Sequence, residues 1–211
     1  MLYQEDPPDT QTRRGAGLQA FSLIELLIVV ALMVVLFVAF FSTGSKSYQR
    51  RQQTACRQNL EFIYMVLQMY ASDCQGAYPA TNRAETSEAP LSLLVPRYST
   101  RTDIFICPGS GHPRLPEGES FAARRISYAY VMGLTNDAPA DQWLMSDAQA
   151  HPRSKEAGDV LFALDKRTSG NNHAQYGGNL LFSDGHTAYS PSLAKAPIQV
   201  PSNTIALNPR H

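Results

Sequence analysis

The stretch from residue 21 to residue 41 reads FSLIELLIVVALMVVLFVAFF, and its one charged residue is Glu25. As an α-helix these 21 residues would be about 31 Å long at about 1.5 Å per residue, and a bilayer hydrocarbon core is roughly 30 Å thick. The stretch therefore predicts a helix that crosses a membrane.

Glu25 is a costly residue in such a helix. A charged side chain inside the membrane costs about 2.5 to 3.5 kcal/mol on insertion scales. The nearest basic residues, Arg14 and Lys46, lie outside the apolar run. A cut before Phe21 would create an α-amino group, which carries positive charge near neutral pH. That ammonium could pair with Glu25 of its own chain or of a neighbouring copy.

The junction reads AFSLIELL from Ala20 to Leu27. This sequence resembles the processing site of type IV prepilins and type II secretion pseudopilins. The resemblance implies that a prepilin peptidase removes residues 1–20 as a leader, with Ala20 as the small residue before the cut. It also implies that Phe21 becomes a methylated N-terminus and that Glu25 helps to register subunits in a filament. An ordinary signal anchor with a stray Glu is the alternative.

The basic residues around the helix conflict with this topology. Arg13 and Arg14 precede the helix, whereas Lys46, Arg50 and Arg51 follow it, so the positive-inside count alone would place the C-terminal domain in the cytoplasm. The processing motif requires the leader to face the cytoplasm instead. We therefore expect a single-pass inner-membrane protein with its C-terminal domain in the periplasm.

An amphipathic pattern follows the apolar run. Apolar residues recur at spacings of four and three, at Cys56, Leu60, Ile63, Leu67, Tyr70 and Cys74. This predicts one buried face on a helix that runs from about residue 22 to about residue 74 and ends at Gly76. Beyond it, Tyr78-Pro79 and the LSLLVP sequence at 91–96 resemble major pseudopilins and predict a short apolar loop that folds back on the helix.

Short strands are predicted in the C-terminal half. They are 126–131 (ISYAYV), 160–164 (VLFAL), and 180–182 with 187–189, which are rich in β-branched and aromatic residues. Asp184-Gly185 between the last two is a hairpin signal. The sequences at 171–173, 177–179 and 182–186 also resemble the ending of a large set of bacterial pseudopilin-like proteins. We expect an α+β, pilin-like fold in which the long N-terminal helix packs on a small antiparallel sheet of three to four strands.

Composition completes the domain organisation. Lys plus Arg and Asp plus Glu number 18 each, so no net charge favours nucleic acid as a partner. Proline and glycine, 14 and 13 in number, lie mostly beyond residue 75 and indicate a loop-rich C-terminal part. The predicted segments are a leader (1–20), a membrane-spanning helix (21–41), an amphipathic stalk helix (42–75), a globular α+β domain (76–190) and an irregular tail (191–211).

Four residues could converge on a metal, and they are Asp165, His173, Asp184 and His186. Their spacing matches neither an EF-hand loop nor a zinc signature, and turn chemistry already explains Asp184. We therefore predict no metal site, with calcium as the alternative ion. The remaining histidines, His112, His151 and His211, are expected to be solvated, and Ser110 does not match a nucleophile elbow.

Three cysteines in an exported domain raise the question of a disulfide. Cys56 and Cys74 would be about 27 Å apart on one helix, beyond the roughly 7 Å between Cα atoms that a disulfide allows. Cys107 could reach either of them. The favoured interpretation is that Cys56 and Cys74 are buried thiols.

The sequence as a whole predicts a structural subunit and no enzyme. We expect a pseudopilin or pilin-like protein whose partners are prepilin peptidase, other pilin or pseudopilin subunits and the inner membrane. The alternative is a membrane-anchored periplasmic binding protein or hydrolase with a site near Asp184 and His186.

Overall fold

The computed structural model describes residues 22–150, 161–162, 172–173, 176–191 and 203–210. The chain divides into two compact units, Met1–Gly44 and Ser45–His211. Helix α1 (Leu23–Asp73) contributes residues to both.

The bounds of α1 confirm the predicted helix from about residue 22 to about residue 74. Two left-handed residues end it, Gln75 with φ 54° and Gly76 with φ 86°. The N–H of Gly76 donates to the carbonyl of Ala71 at 2.8 Å, which satisfies one of the last helical carbonyls. Gly76 therefore ends the helix as predicted, with Gln75 in the turn beside it.

The first unit contains the apolar end of α1. Between Leu23 and Phe40 none of the helical residues is buried. Leu23 is 80% exposed and Phe40 83% exposed. Among the described residues, this is the one helical segment that is long and apolar enough to cross a membrane.

The second unit builds its core on one face of α1. The fully buried residues of that face are Cys56, Leu60, Ile63, Leu67 and Ala71. Cys56, Leu60, Ile63 and Leu67 have the predicted spacing, and Ala71, four residues further on, continues the buried face in place of Tyr70. Tyr70 and Cys74, at the end of the predicted stripe, are only partly buried.

A five-stranded antiparallel sheet shares this core. Its strands are β1 (Tyr128–Met132), β2 (Trp143–Asp147), β3 (Gly178–Phe182), β4 (Thr187–Ser190) and β5 (Ile205–Leu207). Their order across the sheet is β4-β3-β2-β1-β5, and each neighbouring pair is antiparallel. The long helix and small antiparallel sheet agree with the expected α+β class, whereas the pilin-like arrangement stays a prediction.

The predicted strands agree with the structure to different extents. The hairpin of β3 and β4 around the Asp-Gly turn is confirmed, and β1 begins at Tyr128 instead of residue 126. The strand predicted at 160–164 is wrong in the part that is described, because Leu161 and Phe162 lie in a buried bend. The other residues of that prediction lie outside the described ranges.

Two strands were not predicted from the sequence. All of β2 is buried, so its sequence WLMSD shows no alternation of polar and apolar residues. Strand β5 lies in the tail that was predicted to be irregular, and it pairs with the edge of β1, where Leu207 faces Tyr130. The following residue, Asn208, exchanges two hydrogen bonds of 2.9 Å with the backbone of Gln149. These long-range bonds hold a short segment that its own sequence does not mark as a strand.

The chain between α1 and β1 packs back onto the helix, as predicted. Helix α2 (Glu88–Leu91) continues into a 3₁₀ turn (Ser92–Leu94), and leucines from both enter the core. Just beyond them, Arg97 forms an exposed ion pair with Asp73 at 2.8 Å. The apolar loop thus returns to the end of α1.

We expect the Leu67→Ala substitution to lower the free energy of unfolding of the second unit by about 2 to 5 kcal/mol, because it removes a fully buried side chain and leaves a cavity. Denaturant unfolding of the detergent-solubilised chain, followed by the fluorescence of the buried Trp143, measures this change. The matched control is Met69→Ala, which removes a half-exposed side chain from the same helix and should change stability by about 0.5 kcal/mol or less. Equal effects of the two substitutions would contradict the assignment of the buried face.

Candidate functional site

Candidate functional groups lie at the start of α1 and in a buried polar centre. Of the predicted processing residues, Ala20 and Phe21 lie outside the described residues. Glu25 is exposed in the first turn of α1, and it forms no ion pair with another described residue. The carbonyl of Ser22 accepts hydrogen bonds from the N–H groups of Glu25 and Leu26 at 2.9 and 3.1 Å, so the helix begins here.

The buried polar centre lies beside a disulfide between Cys56 and Cys107, whose Cα atoms are 5.2 Å apart. The favoured prediction of a buried free thiol at Cys56 is therefore wrong. The prediction that Cys56 does not pair with Cys74 is confirmed, and Cys74 is a free, partly buried thiol. The disulfide joins α1 to the loop that precedes β1.

Asp147, the last residue of β2, supplies a buried carboxylate to this centre. Asn179 donates to its Oδ2 twice, from the backbone N–H at 2.8 Å and from Nδ2 at 2.9 Å. Asn172 donates from Nδ2 to Oδ1 at 3.2 Å and to the carbonyl of Ser127 at 2.7 Å. Buried charges are costly unless they are hydrogen-bonded, so these amides fix the position of the carboxylate.

His173 connects the carboxylate to the disulfide. Its Nε2 atom lies 3.4 Å from Oδ2 of Asp147 and 3.4 Å from Sγ of Cys107. The side chain is fully buried. Gly109 makes this packing possible, because a Cβ atom at that position would lie 2.8 Å from Nδ1 of His173. Cys56, Cys107, Asp147 and His173 consequently place one potential metal-ligand atom each within 4.8 Å of one another.

This grouping differs from the metal ligands considered in the sequence. Of those four residues, His173 belongs to the buried centre, and Asp165 lies outside the described residues. Asp184 and His186 pair with each other at 2.5 Å on the exposed β3–β4 turn. The backbone N–H of His186, and then its ring, hold the pKa of the Asp184 carboxyl below its usual value.

The turn that carries Asp184 and His186 accounts for both side chains. Oδ1 of Asp184 accepts the backbone N–H of His186 at 2.9 Å, which is an Asx-type turn contact. The ring of His186 stacks on Phe182 with a centroid distance of 4.3 Å. The geometry supports a role in stabilising the hairpin, and neither residue belongs to the group around His173 in the described part of the chain.

His112 is partly buried at the edge of a cavity, rather than fully solvated as predicted. Its Nδ1 is 3.0 Å from Oγ of Ser127, which donates to Oγ of Ser110 at 2.9 Å. Ser110 in turn donates to the carbonyl of Cys107 at 2.7 Å. The cavity beside His112 has a volume of about 340 Å³. Both serine hydroxyls form hydrogen bonds that close the loop, which supports a structural role for this arrangement.

Burial, and then the nearby charge of Arg125, lower the pKa of the His112 imidazole. The fold therefore favours the neutral ring, while an unfolded chain takes up a proton with a pKa of about 6.5. Stability gained from the neutral ring is present above that value and is lost as the pH falls through it.

We accordingly expect the thermal midpoint of the second unit to fall between about pH 7.5 and about pH 5.5, and this fall to be smaller in His112→Asn. Differential scanning of the detergent-solubilised chain across this pH range provides the measurement. The matched control, Ser127→Ala, removes the hydrogen-bond partner but keeps the imidazole, so it should retain the parental pH dependence. A His112→Asn chain with the full parental fall would contradict the partly buried, neutral histidine.

Comparisons with protein-family models, curated proteins and solved structures give no significant match to this chain.

Sequence reasoning missed Asp147 and the partnership of Cys56, Cys107 and His173. The available signal for Asp147 was a carboxylate at the end of a five-residue stretch, WLMSD, that is otherwise suited to a core strand. The four side chains come from α1, the loop before β1, β2 and the segment before β3. Only the tertiary fold brings them together.

Proposed function

We propose that this chain is a structural subunit of a pseudopilus or type IV pilus-like filament that serves protein secretion or a related surface process. In this proposal prepilin peptidase removes residues 1–20 and Phe21 is methylated. The apolar half of α1 sits first in the inner membrane and then in the filament, and the second unit faces the periplasm. The chain itself carries out no catalysis.

The observation that carries the proposal is the apolar surface of α1 between Leu23 and Phe40, which is exposed on every side. A helix at the surface of a soluble domain needs only one apolar stripe, whereas a helix that is apolar all round needs apolar surroundings all round. Lipid provides such surroundings for a single copy. Neighbouring copies of the same helix provide them in a filament.

Glu25 favours a filament subunit over a simple membrane tether. A tether gains nothing from a carboxylate that costs about 2.5 to 3.5 kcal/mol in the membrane. Cleavage before Phe21 would place an ammonium four residues before Glu25, which is one helical turn away. Opposite charges at this spacing, or on adjacent copies, offset the cost of the carboxylate.

The second unit is held to its part of α1 in two ways. Its core uses five fully buried residues of the helix, and the disulfide ties Cys56 of the helix to Cys107 of the domain. A disulfide stabilises chiefly by limiting the unfolded chain. Both features stabilise the packing of the second unit on this part of the helix.

The alternative of a binding protein or hydrolase near Asp184 and His186 has less support. Both side chains are exposed, and the hairpin turn accounts for their mutual contact and for the stacking on Phe182. The geometry there offers a turn rather than a binding site.

We expect Glu25→Ala to insert in the membrane as the parent does and to reduce the filament fraction by at least about tenfold, since a factor of ten corresponds to about 1.4 kcal/mol of lost pairing. Carbonate extraction of membranes measures insertion, and sedimentation of sheared filaments from the native host measures assembly. Glu25→Gln should fail similarly, because it keeps the shape but lacks the charge.

The matched control for this experiment is Glu61→Ala. It removes the same side chain from the same helix, at a partly exposed position where Glu61 pairs with Arg57 at 3.6 Å and accepts a hydrogen bond from Oγ1 of Thr187 at 3.2 Å. The ion pair contributes about 1 kcal/mol or less. This variant should assemble normally. Parental filament yield from Glu25→Ala would contradict the proposed pairing.

A further inference from the structure

We propose that Cys56, Cys107, Asp147 and His173 form a tetrahedral zinc site when the disulfide is reduced. The disulfide and the zinc ion would then be two alternative links between α1 and the loop that carries Cys107, made by the same sulfur atoms, and the zinc ion would also bind Asp147 of β2. This inference does not depend on the proposed function, because it concerns the buried centre of the second unit alone.

The four ligand atoms are of the types that bind zinc. Two thiolates, one imidazole and one carboxylate are ligands that Zn²⁺ accepts in four-coordinate sites, whereas calcium prefers six to eight oxygen atoms. All four residues are buried, and their ligand atoms lie within 4.8 Å of one another. The site is therefore closed to bulk water, as structural zinc sites are.

The spacing of the ligand atoms is close to that of a tetrahedral zinc site. Zn–S bonds of about 2.3 Å and Zn–N or Zn–O bonds of about 2.0 to 2.2 Å give a tetrahedron whose sulfur–nitrogen and nitrogen–oxygen edges are about 3.4 to 3.6 Å long. Nε2 of His173 lies 3.4 Å from Sγ of Cys107 and 3.4 Å from Oδ2 of Asp147. These two edges already have the length that the metal requires. Once reduction breaks the bond between the sulfurs, Cys56 can move to a sulfur–sulfur edge of about 3.8 Å.

Neighbouring groups hold two of the ligands in place. Asn179 and Asn172 donate three hydrogen bonds to the carboxylate of Asp147, and the N–H of Gly109 lies 3.3 Å from Sγ of Cys107. Such outer contacts orient the ligands of metal sites. Here they fix the carboxylate and one sulfur before any ion arrives.

The exchange balances in atoms and electrons. A dithiol reductant gives two electrons and two protons to the Cys56–Cys107 disulfide and becomes a disulfide itself. Zn²⁺ then displaces one proton from each thiol and binds both thiolates, so two protons leave for each zinc bound. His173 coordinates through Nε2 as the neutral ring, which carries its proton on Nδ1.

Zinc content tests the proposal in the full-length chain with Cys74→Ser, which removes the remaining free thiol. The detergent-solubilised chain is reduced with a dithiol, freed of it by anaerobic gel filtration, equilibrated with Zn²⁺ and filtered again. We expect about one zinc per chain in the reduced protein and at least tenfold less in the oxidised protein.

Variants assign the ligands. In the reduced protein, His173→Ala and Asp147→Asn should each bind at least about tenfold less zinc than the parent, because each variant lacks one ligand. The control His186→Ala, on the exposed β3–β4 turn, should bind zinc as the parent does. Trp143 fluorescence checks that each variant is folded. Equal zinc content in folded His173→Ala and His186→Ala chains would overturn the proposal.

A cobalt spectrum decides the question without any ligand variant. Co²⁺ added to the reduced parent should give the thiolate charge-transfer absorption and the visible bands of a tetrahedral site, and re-oxidation of the disulfide should abolish them. A reduced, folded parent that shows neither these bands nor bound zinc would overturn the site.

Discussion

A single helix, α1, meets different requirements along its length, and the rest of the structure depends on it. From Leu23 to Phe40 the helix is apolar on every side and exposed, and from Cys56 to Ala71 it is apolar on one buried face. The second pattern gives the five-stranded sheet a surface on which to form a core. The first gives the chain an exposed segment that is long and apolar enough to cross a membrane.

The apolar end also contains one carboxylate, that of Glu25. Glu25 forms no ion pair among the described residues. A carboxylate in lipid is costly without a cation, and we propose that the ammonium created by a cut before Phe21 is that cation. The resemblance of the AFSLIELL sequence to prepilin processing sites points to the same cut.

Local periodicity explains which parts of the fold could be predicted. The helix was predictable over its whole length because its apolar run and its stripe of three- and four-residue spacings extend over many turns. The β3–β4 hairpin was predictable from Asp184-Gly185. Strand β2 was missed because burial of all five residues removes the alternation that marks a strand, and β5 was missed because only its pairing with β1 defines it.

The buried centre was not predictable for a related reason. Cys56, Cys107, Asp147 and His173 are widely separated in the sequence, and none of their spacings matches a metal or disulfide signature. Helix geometry did exclude the Cys56–Cys74 pair. The choice between a thiol and a disulfide at Cys56 needed the position of the loop that carries Cys107.

The N-terminus of the mature chain tests the central claim most directly. Intact-mass and peptide mass spectrometry of protein purified from its native host should show a chain that begins at Phe21 and carries a methyl group on the α-amine. A mature chain that keeps residues 1–20 would leave Glu25 without the proposed cation and would contradict the account.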